Sequence, residues 1–187
     1  MEKKEIKEVL ESFTVLVDTR EHDTPEFRKR CEAFGVPWKR AALNYGDYSY
    51  TCILPGGKEL HNISRLVNPL CAIERKEDLT ELSGNLSRHR ERFKREFERA
   101  RATGAKMYLL VEGASWESLI NGRYRSKFHP NAYFASIIAF MARYDLTPLF
   151  CKPETAARVI KGTLFYDLKE RLERGELDNR CVLSKVE

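Results

Sequence analysis

The segment Pro69-Leu-Cys-Ala-Ile-Glu-Arg-Lys76 constrains the fold of this chain more than any other stretch. Leu70 to Ile73 is a short apolar run with a β-branched residue, bounded upstream by Asn68-Pro69, and it predicts a buried strand. The run passes straight into Glu74, Arg75 and Lys76. Side chains alternate along a strand, so Glu74 and Lys76 share one face and Arg75 takes the other. A carboxylate and an ammonium at the end of a core strand are costly to desolvate without partners. Two uses of such a pair stay open. One is a salt-bridged strand terminus; the other is a carboxylate that holds a divalent cation beside a lysine that orients water or stabilises charge.

Around this strand the periodicity sets out an α/β chain. Residues 3–11 predict a short amphipathic helix, and Phe13 to Asp18 a strand buried on both faces. A helix over 25–34 follows, with Thr24 as N-cap, Pro25 in the first turn and Gly35 as stop. Two strands, 37–43 and 47–54, flank the turn Asn44-Tyr45-Gly46, and Pro55-Gly56-Gly57 makes a second turn. Next come a long helix over 78–102, a strand from Lys106 to Val111, a short helix at 115–121 capped by Ser115, and a helix over 130–144. Thr147 to Cys151 is the last strand, and a helix over 154–174 closes the pattern. Alternation of strands and helices after residue 69 predicts a mixed central sheet flanked by helices on both faces, with antiparallel meander strands near the start. The expectation is one domain over 1–187, its core about 13–174 and its tail 175–187 polar and loosely held.

Composition narrows the class. At 187 residues and 42% hydrophobic content the chain can bury a full core. No apolar run approaches the ~20 residues of a membrane span, and Met1-Glu-Lys-Lys-Glu leads into no signal-peptide core. Five cysteines, scattered and never in a Cys-x-x-Cys pair, point to a reducing intracellular compartment and away from a zinc site. A net charge of +5 permits a nucleic-acid partner without requiring one.

Three predicted strand ends carry carboxylates: Asp18, Asp47 and Glu74, the last with Lys76. Gly46 beside Asp47 lets the backbone approach closely. Oxygen-rich sets of this kind suit Mg²⁺ or Mn²⁺ and metal-dependent phosphodiester hydrolysis. Each acid also has a structural use, as a cap, a turn residue or an ion-pair partner, and spacing alone does not choose between them.

The set Val17-Asp18-Thr19-Arg20-Glu21, Gly46-Asp47-Tyr48 and Ile73-Glu74-Arg75-Lys76 resembles the nuclease domain of the XPF family, structure-selective DNA endonucleases of the PD-(D/E)XK superfamily. Lys106 to Gly113, and Ser126-Lys-Phe-His-Pro-Asn131 leading into an apolar helix, fit as well. The resemblance covers roughly residues 13–174. It implies a restriction-endonuclease-like core, metal ligands at Asp18, Asp47 and Glu74, and a catalytic lysine at Lys76. Arg20, Glu21 and Arg75 match signature positions in supporting roles. The chain departs from the family in three places. Thr80 stands where the family usually has an aspartate, with Asp78 and Glu81 nearby. The interval from Asp47 to Glu74 is longer than in compact members, which suggests an extended hairpin. The tandem helix-hairpin-helix motifs with which many members continue are absent from this sequence.

Basic residues supply candidate DNA contacts. Arg88, Arg92, Arg95 and Arg99 recur at helical spacing, but Glu91, Glu96 and Glu98 are interleaved, so a solvated ion-paired face competes with DNA binding. Arg88, at the start of the stripe, is the best exception. Arg123, Tyr124, Arg125 and Lys127 form a loop with no acidic residue inside it, suited to gripping phosphates. Helix 130–144 is apolar around more than one face, which means deep burial or a subunit interface. The expected protein is a Mg²⁺- or Mn²⁺-dependent endonuclease on branched, flap or fork DNA, without membrane contact, and intracellular with its DNA. It is a homodimer, or takes DNA-binding help from a protein partner. Competing expectations are a catalytically silent DNA-binding or scaffolding subunit, and a superfamily nuclease without branch selectivity. Intact Asp47, Glu74 and Lys76 favour the enzyme.

Overall fold

The computed structural model describes residues 1–178. In chain order its elements are α1 (Lys3–Glu11), β1 (Thr14–Asp18), α2 (Pro25–Glu32), β2 (Trp38–Ala41), β3 (Tyr48–Thr51), β4 (Cys71–Lys76), α3 (Leu79–Leu86), α4 (Arg90–Ala102), β5 (Lys106–Glu112), α5 (Trp116–Ile120), α6 (Pro130–Tyr144), β6 (Thr147–Cys151), a 3-10 turn (Pro153–Thr155) and α7 (Ala156–Glu173). The strands form a mixed six-stranded sheet in the order β2-β1-β3-β4-β5-β6, the mixed sheet that the alternation of strands and helices predicts. Residues group into two compact units. Among the described residues the first comprises 1–43, 48–67 and 157–178, the second 44–47 and 68–156.

In the first unit β1 is buried throughout, as its unbroken apolar run predicts. Thr24 accepts the Phe27 N–H and Pro25 opens α2, so this helix starts where its cap residues place it. The meander expected near the start is not what forms. β2 lies parallel to β1, joined through α2, and β3 pairs antiparallel with the other edge of β1. The crossover through α2 returns β2 parallel to β1, and β3 takes the opposite edge of β1, so 38–41 and 48–51 flank that strand and do not pair as a hairpin. Pro55-Gly56-Gly57 does turn the chain, with the Leu54 N–H donating to the Lys58 carbonyl. Leu16, Ala41, Leu43 and Val67 form a small core, and Phe13 packs edge-on against Phe165 at 5.4 Å. The first residues of the expected loose tail are packed instead, since Leu177 is buried; residues 179–187 lie outside the described residues.

The second unit stacks β4, β5 and β6 in parallel. Met107, Leu109 and Val111 of β5 share a face with Ala72 of β4, and onto it pack Leu82 and Leu86 of α3, Phe93 and Phe97 of α4, and Tyr133, Ile137 and Phe140 of α6. The single helix expected over 78–102 is broken, because Ser87 leaves helical geometry (φ −115°, ψ −88°) between α3 and α4. Weak formers cluster there: Ser83 and Ser87 turn their hydroxyls back onto the carbonyls of Thr80 and Ser83, and Gly84 lies between them. The arginine stripe therefore does not run along one helix; Arg88 sits in the break. On α6, Phe140 belongs to the core against Phe93, Phe97 and Tyr144, whereas Phe134 and Ile138 are exposed.

Candidate active site

The site in the second unit begins with the turn Tyr45-Gly46-Asp47. The Tyr45 hydroxyl donates to the Pro69 carbonyl at 2.7 Å, which anchors the turn beside the start of β4. Gly46 has φ +72°, and a Cβ there would lie 2.7 Å from the Ala72 Cβ. Only glycine accommodates both the left-handed backbone and that approach. The Gly46 N–H donates to Glu96 Oε1 at 3.0 Å, so α4 also holds the turn. Asp47 is thereby laid against β4 on both sides of Glu74. Its N–H donates to the Ile73 carbonyl at 2.8 Å, and its Oδ2 accepts the Arg75 N–H at 2.7 Å.

Glu74 and Lys76 share a face of β4, as alternation predicts, and that face is the one packed beneath α3 and α4. Both are buried. Lys76 Nζ lies 2.7 Å from Glu74 Oε1, 3.5 Å from Glu81 Oε1 and 5.6 Å from the centre of the Phe93 ring. Glu74 Oε2 is buried and, among the described residues, has no hydrogen-bond partner. Burial pushes the Glu74 carboxyl up to about 7; Lys76 opposes the rise, and the nearby Glu96 and Glu81 add to it. For Lys76 burial pulls down, yet Glu74, Asp47 and Glu81 outweigh it and hold the ammonium above the ordinary lysine range.

Arg75 points to the opposite face and forms a two-pronged ion pair with Glu112, at 2.7 and 2.8 Å. Glu112 is buried at the end of β5. The sequence signal for it was a carboxylate ending an apolar strand, as for Glu74. Asp78 caps α3 by accepting the Glu81 N–H, and Thr80, at the family's usual aspartate position, accepts the Arg125 N–H at 3.3 Å. Glu81 is the acid that reaches Lys76. Glu96, read from sequence as a neutralising neighbour of the arginines, instead supports the Gly46 turn.

Asp18 belongs to the first unit and is fully engaged there. Its Oδ1 accepts the Arg20 N–H and Nε at 2.6 and 2.8 Å. Its Oδ2 accepts Arg20 Nη2 at 3.1 Å and the Leu43 N–H at 2.9 Å. Glu21 accepts from the Tyr48 hydroxyl at 3.1 Å and stands 4.0 Å from Arg30. Among the described residues no three His, Cys, Asp or Glu side chains are gathered as a preformed metal centre.

The candidate DNA-binding residues converge on α3. Arg88, Arg125 and Lys127 line a groove of about 610 Å³ with the small side of that helix. Arg123 lines a neighbouring hollow of about 280 Å³ together with Tyr124, Arg125 and Asp78. Tyr124 anchors the loop: its hydroxyl donates to the Phe128 carbonyl and its ring stands edge-on to Tyr133 at 5.1 Å.

Comparison with known proteins agrees with this architecture. The chain is similar to XPF from Aeropyrum pernix, with 22% identity and a TM-score of 0.56 over 91% of this chain and 69% of that one. It is likewise similar to the structure of XPF from Aeropyrum pernix in complex with DNA, with 23% identity, a TM-score of 0.57, and coverage of 85% of this chain and 66% of that one. This chain thus spans about two thirds of the length of those proteins. Curated protein sequences give no match. Residues 17–163 match the ERCC4 domain, a span that takes in the end of β1 with Asp18, the Gly46 turn, β4 and both groove-lining segments, and the chain belongs to the ERCC4 domain family.

Proposed function

We propose that this chain is a divalent-metal-dependent DNA endonuclease that prefers branched, flap or fork DNA. One observation carries the reading: Glu74 is buried with one oxygen on Lys76 and the other bare, while Asp47 is tied to the backbone on either side of it. Membership of the ERCC4 domain family and likeness to an XPF structure with DNA support it. A bare buried carboxylate oxygen is costly without a counter-charge, and an all-oxygen donor set suits a hard cation. Asp47 and Glu74 would hold Mg²⁺ or Mn²⁺, which when bound supplies an activated water and charge stabilisation at the leaving oxygen.

The chain's own groups then divide the work. Lys76 keeps its proton, so it acts as a fixed positive donor toward charge developing on the phosphoryl group and not as a base. Glu81 and Glu74 hold its ammonium in place. Arg75 and Glu112 clamp the far face of the strand end, which fixes the direction of Glu74. Family resemblance also makes Asp18 a ligand, but a cation there would have to displace Arg20. We therefore assign Asp18 to the clamp that ties residues 18–20 to Leu43.

Pairing of two chains is part of this reading. Phe134 and Ile138 are exposed on α6, Phe134 beside Trp116, and a symmetric dimer would cover them. Light scattering should give twice the chain mass, falling to one on Phe134→Asp. A protein partner that supplies further DNA contact, and an intracellular role in DNA repair or recombination, belong to the same proposal. One observation favours a second reading, a silent DNA-binding subunit: Thr80 replaces the family's aspartate. A panel of flaps, forks, four-way junctions and plain strands decides. Cleavage of branched substrates in Mg²⁺ or Mn²⁺, abolished by chelator, is expected. Tight binding without cleavage in either metal would favour the silent subunit.

A further inference from the structure

We infer that the groove between α3 and the loop 123–128 is an entry site for an unpaired nucleic-acid strand, an inference that rests on the DNA-directed reading above. The groove's volume, about 610 Å³, falls within the range of ligand pockets. Its floor is kept empty by the helix sequence: Gly84 and Ser87 present almost no side chain, and a Cβ at Gly84 would meet nothing nearer than Arg88 Nη2 at 3.9 Å.

Its charge is one-sided. Arg88 enters from the break after α3, and Arg125 and Lys127 from the loop opposite. Among the described residues these three cations make no ion pair, in contrast to Arg20 and Arg75. Phe128 adds an apolar ring to the lining, held parallel to Tyr133 at 5.1 Å. A base or sugar finds that ring, and its phosphates find the cations, which is how single strands are held without sequence preference.

The loop is built before any strand arrives. The Arg125 N–H donates to the Thr80 hydroxyl, the Phe128 N–H to Ser126 Oγ at 3.1 Å, and Tyr124 closes the loop onto the Phe128 carbonyl. Little ordering remains to oppose binding. A duplex keeps its bases stacked inside and offers only its rim to such a groove. An unpaired strand can lay a nucleotide into it. This separates the groove from a phosphate-gripping loop, which would serve every DNA shape alike.

The test is fluorescence anisotropy with labelled oligothymidylate and a labelled blunt duplex, in chelator so that neither is cut. Gly84→Leu fills the floor and improves helix propensity, so the fold is retained. It should weaken oligothymidylate about tenfold, within the range of losing one stacked base, and leave the duplex within about twofold. Replacing Arg88, Arg125 and Lys127 together by alanine should flatten the slope of log affinity against log salt on the single strand by about 2, at about 0.7 per lost phosphate contact. Equal losses on both ligands, unchanged binding in Gly84→Leu, or no single-strand binding by the unaltered chain would each overturn the inference. The nuclease reading fails separately. No cleavage in Mg²⁺ or Mn²⁺ with the strand still bound sinks the enzyme and spares the groove, whereas cleavage with Gly84→Leu binding unaltered sinks the groove alone.

Discussion

Asp18 and Glu74 begin from the same sequence logic and end in opposite states. Each follows directly on a buried apolar run, each is itself buried, and each has a cation two residues on. Asp18 uses both oxygens on four donors, one of them the Leu43 amide. Glu74 gives one oxygen to Lys76 and leaves the other bare. The cations explain part of the difference. Arginine is a planar fork that can cover a whole carboxylate, whereas lysine is a point charge that satisfies one oxygen. A carboxylate whose acceptors are all filled fixes a loop. One with a vacant acceptor in a dry place is poised for a charge from outside the chain.

Substitution should separate the two by kind of damage. Glu74→Ala or Asp47→Ala should lower cleavage by at least about 100-fold, the scale of losing one preorganised charge-stabilising group, with the fold retained by circular dichroism. Near-normal rates in Mg²⁺ would remove both residues from the site. Asp18→Ala should act on stability first, losing about 2–3 kcal/mol in urea unfolding, because the buried Leu43 amide is left unsatisfied and a charged hydrogen bond is lost. If Asp18→Ala unfolds like the parent chain, the clamp assignment fails.

The fold around these two acids was unevenly legible. Alternation along β4 correctly put Glu74 and Lys76 together and Arg75 apart, because the two-residue period follows from backbone geometry alone. Caps at Thr24 and Ser115, and the whole of α6, followed from local chemistry for the same reason. Misread elements depended on distant partners. The β1-α2-β2 crossover is visible as a strand–helix–strand order, yet Asn44-Tyr45-Gly46 has the composition of a hairpin turn; the chain there turns toward β4, with Tyr45 reaching Pro69. The break after Leu86 was hidden because Leu86, Phe93 and Phe97 keep helical spacing across it. For the site, order and residue type found the acids, but nothing local says that Arg20 covers both Asp18 oxygens while Lys76 covers one of Glu74. Glu81 stood out beside Thr80 with Asp78, without a sign of which acid reaches Lys76, and Glu96 was missed as a support because it lies in a charged stretch whose ordinary fate is solvation.

A smaller effect concerns pH. In metal-free protein the Glu74 carboxyl titrates near 7, above its ordinary value, because burial disfavours the charged form. A raised folded-state value means the folded chain binds the proton more tightly than the unfolded chain. Its stabilising contribution is complete below the ordinary carboxylate range and is lost as pH rises toward about 7. Urea unfolding in chelator should therefore show stability declining over that window, and Glu74→Gln should flatten the decline. A slope unchanged in Glu74→Gln would assign it to other groups. Smallest of all is Arg20→Lys. It keeps the charge but loses the fork and, because the side chain at position 20 is itself about half exposed above the buried Asp18, should cost about 1 kcal/mol in unfolding free energy with cleavage unaffected. A large loss of activity there would tie the first unit's clamp to catalysis.

The contrast between the two acids is tested most directly by metal binding without turnover, as Mn²⁺ titration followed by the electron paramagnetic resonance of the free ion. Parent chain, Glu74→Gln and Asp18→Asn are compared at one protein concentration. The account predicts that Glu74→Gln loses the bound Mn²⁺ while Asp18→Asn, if folded, binds it with the parent's stoichiometry. Retention by Glu74→Gln together with loss in a folded Asp18→Asn would contradict it.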